Sequence, residues 1–546
     1  MDKQKLFVRP ASGLVREVST SKGLFFSIGS AVAWETVWVT AWVSLVPTYT
    51  IAGWSSLAVG VLMSFPFLVF LLAPIYGYLV TAMPRSGGDQ VFTTRIIHPA
   101  VGFLETWTLV VGVFSFMGYS LVTVIYNFST TFSTLAVATP QPYGSYAAWL
   151  QGTTGTLVAG TVIMVLAFVV SAMPARRFYN INSLLVIVGL VLSLLVVPFL
   201  FGFNLTTFAH NFQAITGTSM SAAEQLAASK GLTIGTFTVA SLGPLLGFCF
   251  LEYSGFQFTT VVSGEIKGNP SKVILTAMIG SAIVVLLIHT IYLQAYVNVL
   301  GYNFLASLSY IFYNAPASTP LIPLGQLLVA ISNPQLAGLM ALSTIAALLI
   351  GFSMMVCIIV SMSRIAFAWS MDRLIPTKFS EINPKTKSPL YLVAAFAGLW
   401  YIAFVGSVYG VTFITGSYIY MMLSVLYWVL PGFNAILLPH RRPDLYELIP
   451  QSMRKKVGGL HLISVIGIVW LIFIIPAFGL FMAWPIIAGA SGLSSISGAV
   501  TYAITQGVGT LVAVMLVGAA IYWLSRWYNA KRGIDMSLLF KSVPPE

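Results

Sequence analysis

Twelve runs of apolar residues, each long enough to cross a hydrocarbon layer as a helix, dominate this sequence of 546 residues. They cover about 24–47, 55–82, 99–126, 153–173, 178–203, 234–263, 273–298, 335–368, 389–408, 411–438, 460–485 and 499–525. A helix rising about 1.5 Å per residue needs about 20 residues to span roughly 30 Å of lipid. Only helices and closed barrels satisfy their backbone polar groups there, and these runs are too long for barrel strands. Charged residues make up only 7% of the chain, against about 25% in soluble domains. That scarcity excludes a soluble enzyme, a disordered chain and a disulfide scaffold. The fold class expected is an all-α integral membrane protein with twelve transmembrane helices.

The charges fix an orientation. With the N-terminus inside, 25 of the 26 Lys and Arg residues fall in inner segments, and Lys230 alone falls outside. Such an asymmetry is the positive-inside pattern. It accounts for a net charge of +12 without nucleic acid, and it predicts a multi-pass cell-membrane protein with both termini cytoplasmic. The basic start (Lys3, Lys5, Arg9, Arg16) and the long first apolar run do not read as a cleavable signal peptide. The sequons at Asn127 and Asn204 fall on the predicted outer side. Cys249 and Cys357 sit in apolar runs as small hydrophobes, and no metal-ligand spacing occurs. No cofactor is expected.

Three motifs carry more. Between spans 2 and 3 the chain reads Pro84-Arg85-Ser86-Gly87-Gly88-Asp89, then Arg95 and His98-Pro99. Span 6 continues through Tyr253-Ser254-Gly255-Phe256-Gln257 to Gly264-Glu265-Ile266-Lys267-Gly268-Asn269-Pro270. Span 8 ends in Ser363-Arg364 and Met371-Asp372-Arg373-Leu374-Ile375-Pro376. In order and placement these resemble the amino acid–polyamine–organocation (APC) superfamily of permeases, amino acid permease type. Arg373 stands where the family's motif usually has Gly. The resemblance implies two inverted five-helix repeats of the LeuT-like kind plus two helices. The organisation is then an N-terminal segment (1–23), a first repeat (24–203), an extracellular loop (204–233) and a second repeat (234–438). A cytoplasmic loop (439–459), helices 11 and 12 (460–525) and a tail (526–546) follow. One bundle of spans 1, 2, 6 and 7 would rock against a scaffold of 3, 4, 8 and 9.

Inverted-repeat transporters bind substrate where helices break at corresponding places in the two halves, here spans 1 and 6. Acidic residues deep in spans are costly and therefore informative. Two occur at corresponding depths, Glu35 and Glu252. Glu105 lies six residues after Pro99, where the interface is expected to solvate it. By resemblance, the span-1 break (Ala33, Trp34, Glu35, Thr36) holds the substrate carboxylate. The span-6 break (Glu252, Tyr253, Ser254, Gly255, Gln257) holds the amine, Tyr253 closes over the substrate, and Tyr119 of span 3 stands beside it. The usual Gly-Ser-Gly pattern of span 1 is met only by Gly29-Ser30-Ala31, one and a half turns before Glu35. A carboxylate at Glu35 would repel the substrate's own unless it is protonated, which burial favours. Three roles stay open for Glu35 and Glu252: selecting a cationic ligand, carrying a coupling proton, or bonding a neighbouring helix. Span 5 has no Lys to couple protons. A sodium site between spans 1 and 8 would use Ser353. His289 is either a packing donor or a proton relay, and Arg364 and Asp372 are expected to make gate or loop contacts.

The function expected is secondary active transport of amino acids or related small amines by alternating access, with proton or sodium as possible partner and lipid as surroundings. A polyamine or cationic amino acid exchanger is the alternative, and a transporter-like nutrient receptor a remote one. No Gly-x4-Gly-Lys-Ser/Thr loop argues for an ATP-driven pump, and no His-Glu-x-x-His or comparable catalytic set argues for a membrane enzyme.

Overall fold

A computed structural model describes residues 11–31, 38–410, 417–490 and 507–544. It is an all-α membrane protein. Ten helices among the described residues are long and apolar enough to span a bilayer. In chain order the elements used below are α1 (Thr20–Ser30), α2 (Ser56–Ala82), α3 (Asp89–Ile96) and α4 (Pro99–Ala136). Next come α5 (Thr153–Ser171), α6 (Ala175–Leu200), α7 (Leu242–Glu252) and α8 (Pro270–Leu300). The last are α9 (Pro334–Met371), α10 (Leu390–Val408), α11 (Ile419–Arg441), α12 (Leu462–Met482) and α13 (Gly507–Lys531). The predicted spans other than the first and sixth each correspond to one of the ten. Span 6 is interrupted, and span 1 leaves helical geometry at Ala31, whose φ is −69° and ψ 160°.

Inside lipid every polar group needs a partner in the protein, and the spans meet this locally. Hydroxyls fold back onto carbonyls of the preceding turn, as Ser64 does to Gly60 (2.9 Å), Thr81 to Gly77 (2.6 Å) and Ser361 to Cys357 (2.9 Å). Pro66 lacks an N–H, and α2 widens into a π turn at Leu68–Leu72 just after it. A matching π turn interrupts α8 at Ile288–Tyr292.

Apolar side chains face both ways. Val158, Val162, Val165 and Val169 form an exposed stripe on α5. That arrangement suits a helix facing hydrocarbon, where exposed apolar surface carries no penalty. The protein interior is built around α9, which packs on α4, α6 and α1, while α8 covers α1 from the other side. Two helices, Leu205–Thr216 and Met220–Ser229, lie within the predicted outer loop.

The first sequon needs correction. Asn127 is buried within α4, because that helix runs on to Ala136, ten residues past the expected span. Asn204 instead caps a helix, its Oδ1 accepting from the Thr207 N–H at 3.0 Å.

The three motifs meet at one end of the bundle. The Gly87 N–H donates to the Val261 carbonyl (2.8 Å), and the Ser263 hydroxyl to the Arg85 carbonyl (2.8 Å). Arg95 pairs with Asp372, and Arg364 with Glu265 at 2.9 Å. All four of these charged side chains are buried. The N-terminal segment joins them, since the Lys267 N–H donates to the Val18 carbonyl at 2.9 Å.

Candidate functional site

The site begins with a helix that stops. α7 ends at Glu252, and the chain resumes as a 3₁₀ segment, Phe256–Glu265. Between them Gly255 has a φ of +94°, which side chains strongly resist. A Cβ built there would lie 2.2 Å from the Ser30 carbonyl oxygen. Glycine therefore serves two needs, the left-handed turn and the approach of α1. The Ser27 hydroxyl of α1 donates to the Phe256 carbonyl (2.7 Å) and lies 2.8 Å from the Ser281 hydroxyl of α8. Tyr253 donates to the Val61 carbonyl of α2 at 3.1 Å. The carbonyl end of α1 thus meets the N–H end of the 3₁₀ segment. Helix ends of opposite polarity suit the two charges of a zwitterion.

A cavity of about 20 Å³ lies at this junction, room for about one water. Its polar groups are Ser30, Ser254 and Tyr420, with Phe116, Phe258 and Met354 among its apolar walls. The Ser254 and Tyr420 hydroxyls are hydrogen-bonded, and the Tyr420 ring stacks on Phe116 with centroids 5.4 Å apart. No acidic or basic side chain lines the cavity among the described residues.

The predicted residues fall into three groups. Ala33, Trp34, Glu35 and Thr36 lie outside the described residues. Ser254 and Gly255 line the cavity. Glu252, Tyr253, Gln257 and Tyr119 do not. Tyr119 is 38% exposed, and Phe116 and Met117, within one turn of it on α4, reach the cavity instead. Gln257 is buried with neither amide atom hydrogen-bonded. Because α1 ends at Ser30, Gly29-Ser30-Ala31 meets the span-6 break. Phe116, Phe258, Met354 and Tyr420 were not foreseen. Aromatic and Met residues are ordinary in spans, and nothing in their spacing sets these apart.

Glu252 faces sideways to α8. Its Oε2 is 3.4 Å from His289 Nε2, and both side chains are buried. His289 Nδ1 lies 3.0 Å from the Val285 carbonyl, which can only accept, so Nδ1 carries a hydrogen. Nε2 is the ring nitrogen that faces the Glu252 carboxyl. Ser353, the sodium candidate, donates to Asn182 Oδ1 of α6 at 2.7 Å, and Asn182 Nδ2 donates to the Phe25 carbonyl of α1 at 3.2 Å.

Glu105 corrects another expectation. It is fully buried, because α3 folds back against α4 and covers it. It lies within electrostatic reach of Asp89, which is also buried and accepts from the Tyr76 hydroxyl at 3.2 Å. Neither carboxyl has an ion-pair partner among the described residues, in contrast to Asp372 and Glu265. Burial pushes the Asp89 carboxyl up to about 7, against the opposing hydrogen bond from Tyr76. No group of three or more metal-ligating side chains occurs among the described residues.

The chain is similar to the branched-chain amino acid permease BcaP of Bacillus subtilis (strain 168), at 22% identity over 440 residues, covering 79% of this chain and 84% of that protein. The profile of the amino acid permease family matches residues 20–512. The chain is accordingly a transporter and not an enzyme, and it belongs to the amino acid permease family of the APC superfamily.

Proposed function

We propose that the protein carries amino acids with neutral, apolar side chains across the cell membrane by alternating access, coupled to protons. The observation that carries this reading is the cavity at the span-6 break, apolar on most sides and lined by no carboxylate among the described residues. The similarity to a branched-chain amino acid permease supports the same choice. The ammonium sits at the carbonyl ends of α1 and α7. The carboxylate takes the N–H groups that open the segments after the breaks. The apolar side chain lies against Phe116, Phe258 and Met354.

In this reading the chain has twelve spans in two inverted repeats plus two helices, with both termini cytoplasmic. The paired π turns in α2 and α8 support the repeat. The coupling proton sits on the Glu252–His289 pair, one helix turn from the break, where a change in the break alters their separation.

Proteoliposomes loaded with leucine test the substrate. Leucine, isoleucine or valine outside should drive counterflow, and lysine or putrescine should not; counterflow driven by lysine or putrescine alone overturns the assignment. For coupling, Glu252→Gln should abolish accumulation driven by an inward proton gradient yet spare leucine exchange. Undiminished accumulation in that variant removes Glu252 from the coupling step.

A further inference from the structure

Beyond α9 the chain turns through Arg373–Lys378 and meets the last turns of α13. Together they line an open cavity of about 480 Å³, far larger than the one at the break. Ile375, Ile521 and Leu524 form an apolar wall, and Arg373, Lys378 and Arg532 supply cations. None of these three makes an ion pair among the described residues, although neighbouring Asp372 is paired with Arg95.

Arg373 is held in an unusual way. Its φ is +59°, in the left-handed region that glycine adopts freely and arginine does not. Asn529 Nδ2 of α13 donates to its carbonyl at 3.0 Å, and the Ser525 hydroxyl to the next carbonyl, that of Leu374, at 2.7 Å; together they fix the turn. Its Nε is buried with no hydrogen-bond partner. A guanidinium is thus kept where the backbone favours glycine, with a donor unused and turned away from water. That combination points to an anion that comes and goes.

The surroundings say where that anion comes from. On the same turns of α13, Arg526 lies over Trp523 (5.4 Å), Lys531 over Trp527 (3.7 Å) and Arg532 over Tyr528 (4.3 Å). Aromatic rings paired with long cations mark the level where a span leaves hydrocarbon for headgroups. We propose that this cavity binds the phosphate headgroup of an anionic phospholipid. The guanidinium groups of Arg373 and Arg532 fork onto the phosphate oxygens, Lys378 adds a point charge, and an acyl chain lies along Ile521 and Leu524.

The test uses the full chain in vesicles of phosphatidylcholine alone or with phosphatidylglycerol, reading retained lipid by native mass spectrometry and stability by thermal unfolding. Arg373→Gly suits the observed backbone, so it should unfold no earlier than the wild type in phosphatidylcholine. It should nonetheless hold phosphatidylglycerol about five-fold more weakly, and Arg373→Gly with Arg532→Gln weaker by about that factor again. Lys267→Gln, which removes a cation outside the cavity, should change nothing. Retention by the double variant equal to the wild type would overturn the proposal, as would equal weakening by Lys267→Gln. Inorganic phosphate reproducing the whole phosphatidylglycerol stabilisation in neutral detergent would assign the cavity to a soluble anion and overturn the lipid assignment.

Discussion

Gln257 and Asp89 show how single buried polar residues differ from their surroundings. A buried amide with both polar atoms unpaired costs roughly 1–3 kcal/mol. Gln257→Leu should therefore raise stability in denaturant titrations by about that amount while lowering leucine transport; a drop in stability would mean that the amide is satisfied in the resting protein. Asp89 gives a pH effect of definite sign. Its folded carboxyl is pushed up to about 7 by burial, from 3.8. The stabilisation is then complete below the unfolded-state value and is lost as pH rises through about 7. The unfolding temperature should fall over that interval, and Asp89→Asn should flatten the fall. A wild-type profile that rises across the same interval would contradict the assignment. Sequence depth misplaced the neighbouring Glu105, because six residues from Pro99 measures distance along α4 and says nothing of what folds over it. Tyr420 and Phe116 carry no chemistry that a linear reading can single out.

Between elements, buried ion pairs tie the helices together at the basic end of the bundle. Arg95 reaches from α3 to Asp372 at the end of α9, and Gln90 Nε2 also donates to that carboxylate at 3.2 Å. Removing one partner strands a charge away from water. Asp372→Asn should cost about 3–5 kcal/mol, and Arg95→Met with Asp372→Leu should recover most of it. Equal losses in the single and double variants would show that packing, not charge, dominates there. The sequence placed Arg364 and Asp372 in contacts rather than chemistry but could not say with what. Their partners lie 99 and 277 residues away along the chain.

Across the whole molecule, inter-helix hydrogen bonds lie on both sides of the small cavity at the break, among the described residues. At the end away from the termini, the Thr40 hydroxyl donates to the Pro323 carbonyl (2.7 Å) and the Ser44 N–H to the Ser309 hydroxyl (3.0 Å). The motif contacts lie at the other end. Loosening only the latter, with Asp372→Asn, should expose Ser254→Cys to a membrane-impermeant maleimide added on the side of the termini. Unchanged protection would mean that those pairs are not a gate. The membrane class, the span positions and the three motifs were legible in the sequence, because lipid imposes hydropathy and length on each segment separately. What faces what was not legible: Glu252 against His289, Gly255 against Ser30, and an arginine lining a cavity follow from helices packing across hundreds of residues. Hydrocarbon constrains each span independently of the others, whereas a site exists only where several of them meet.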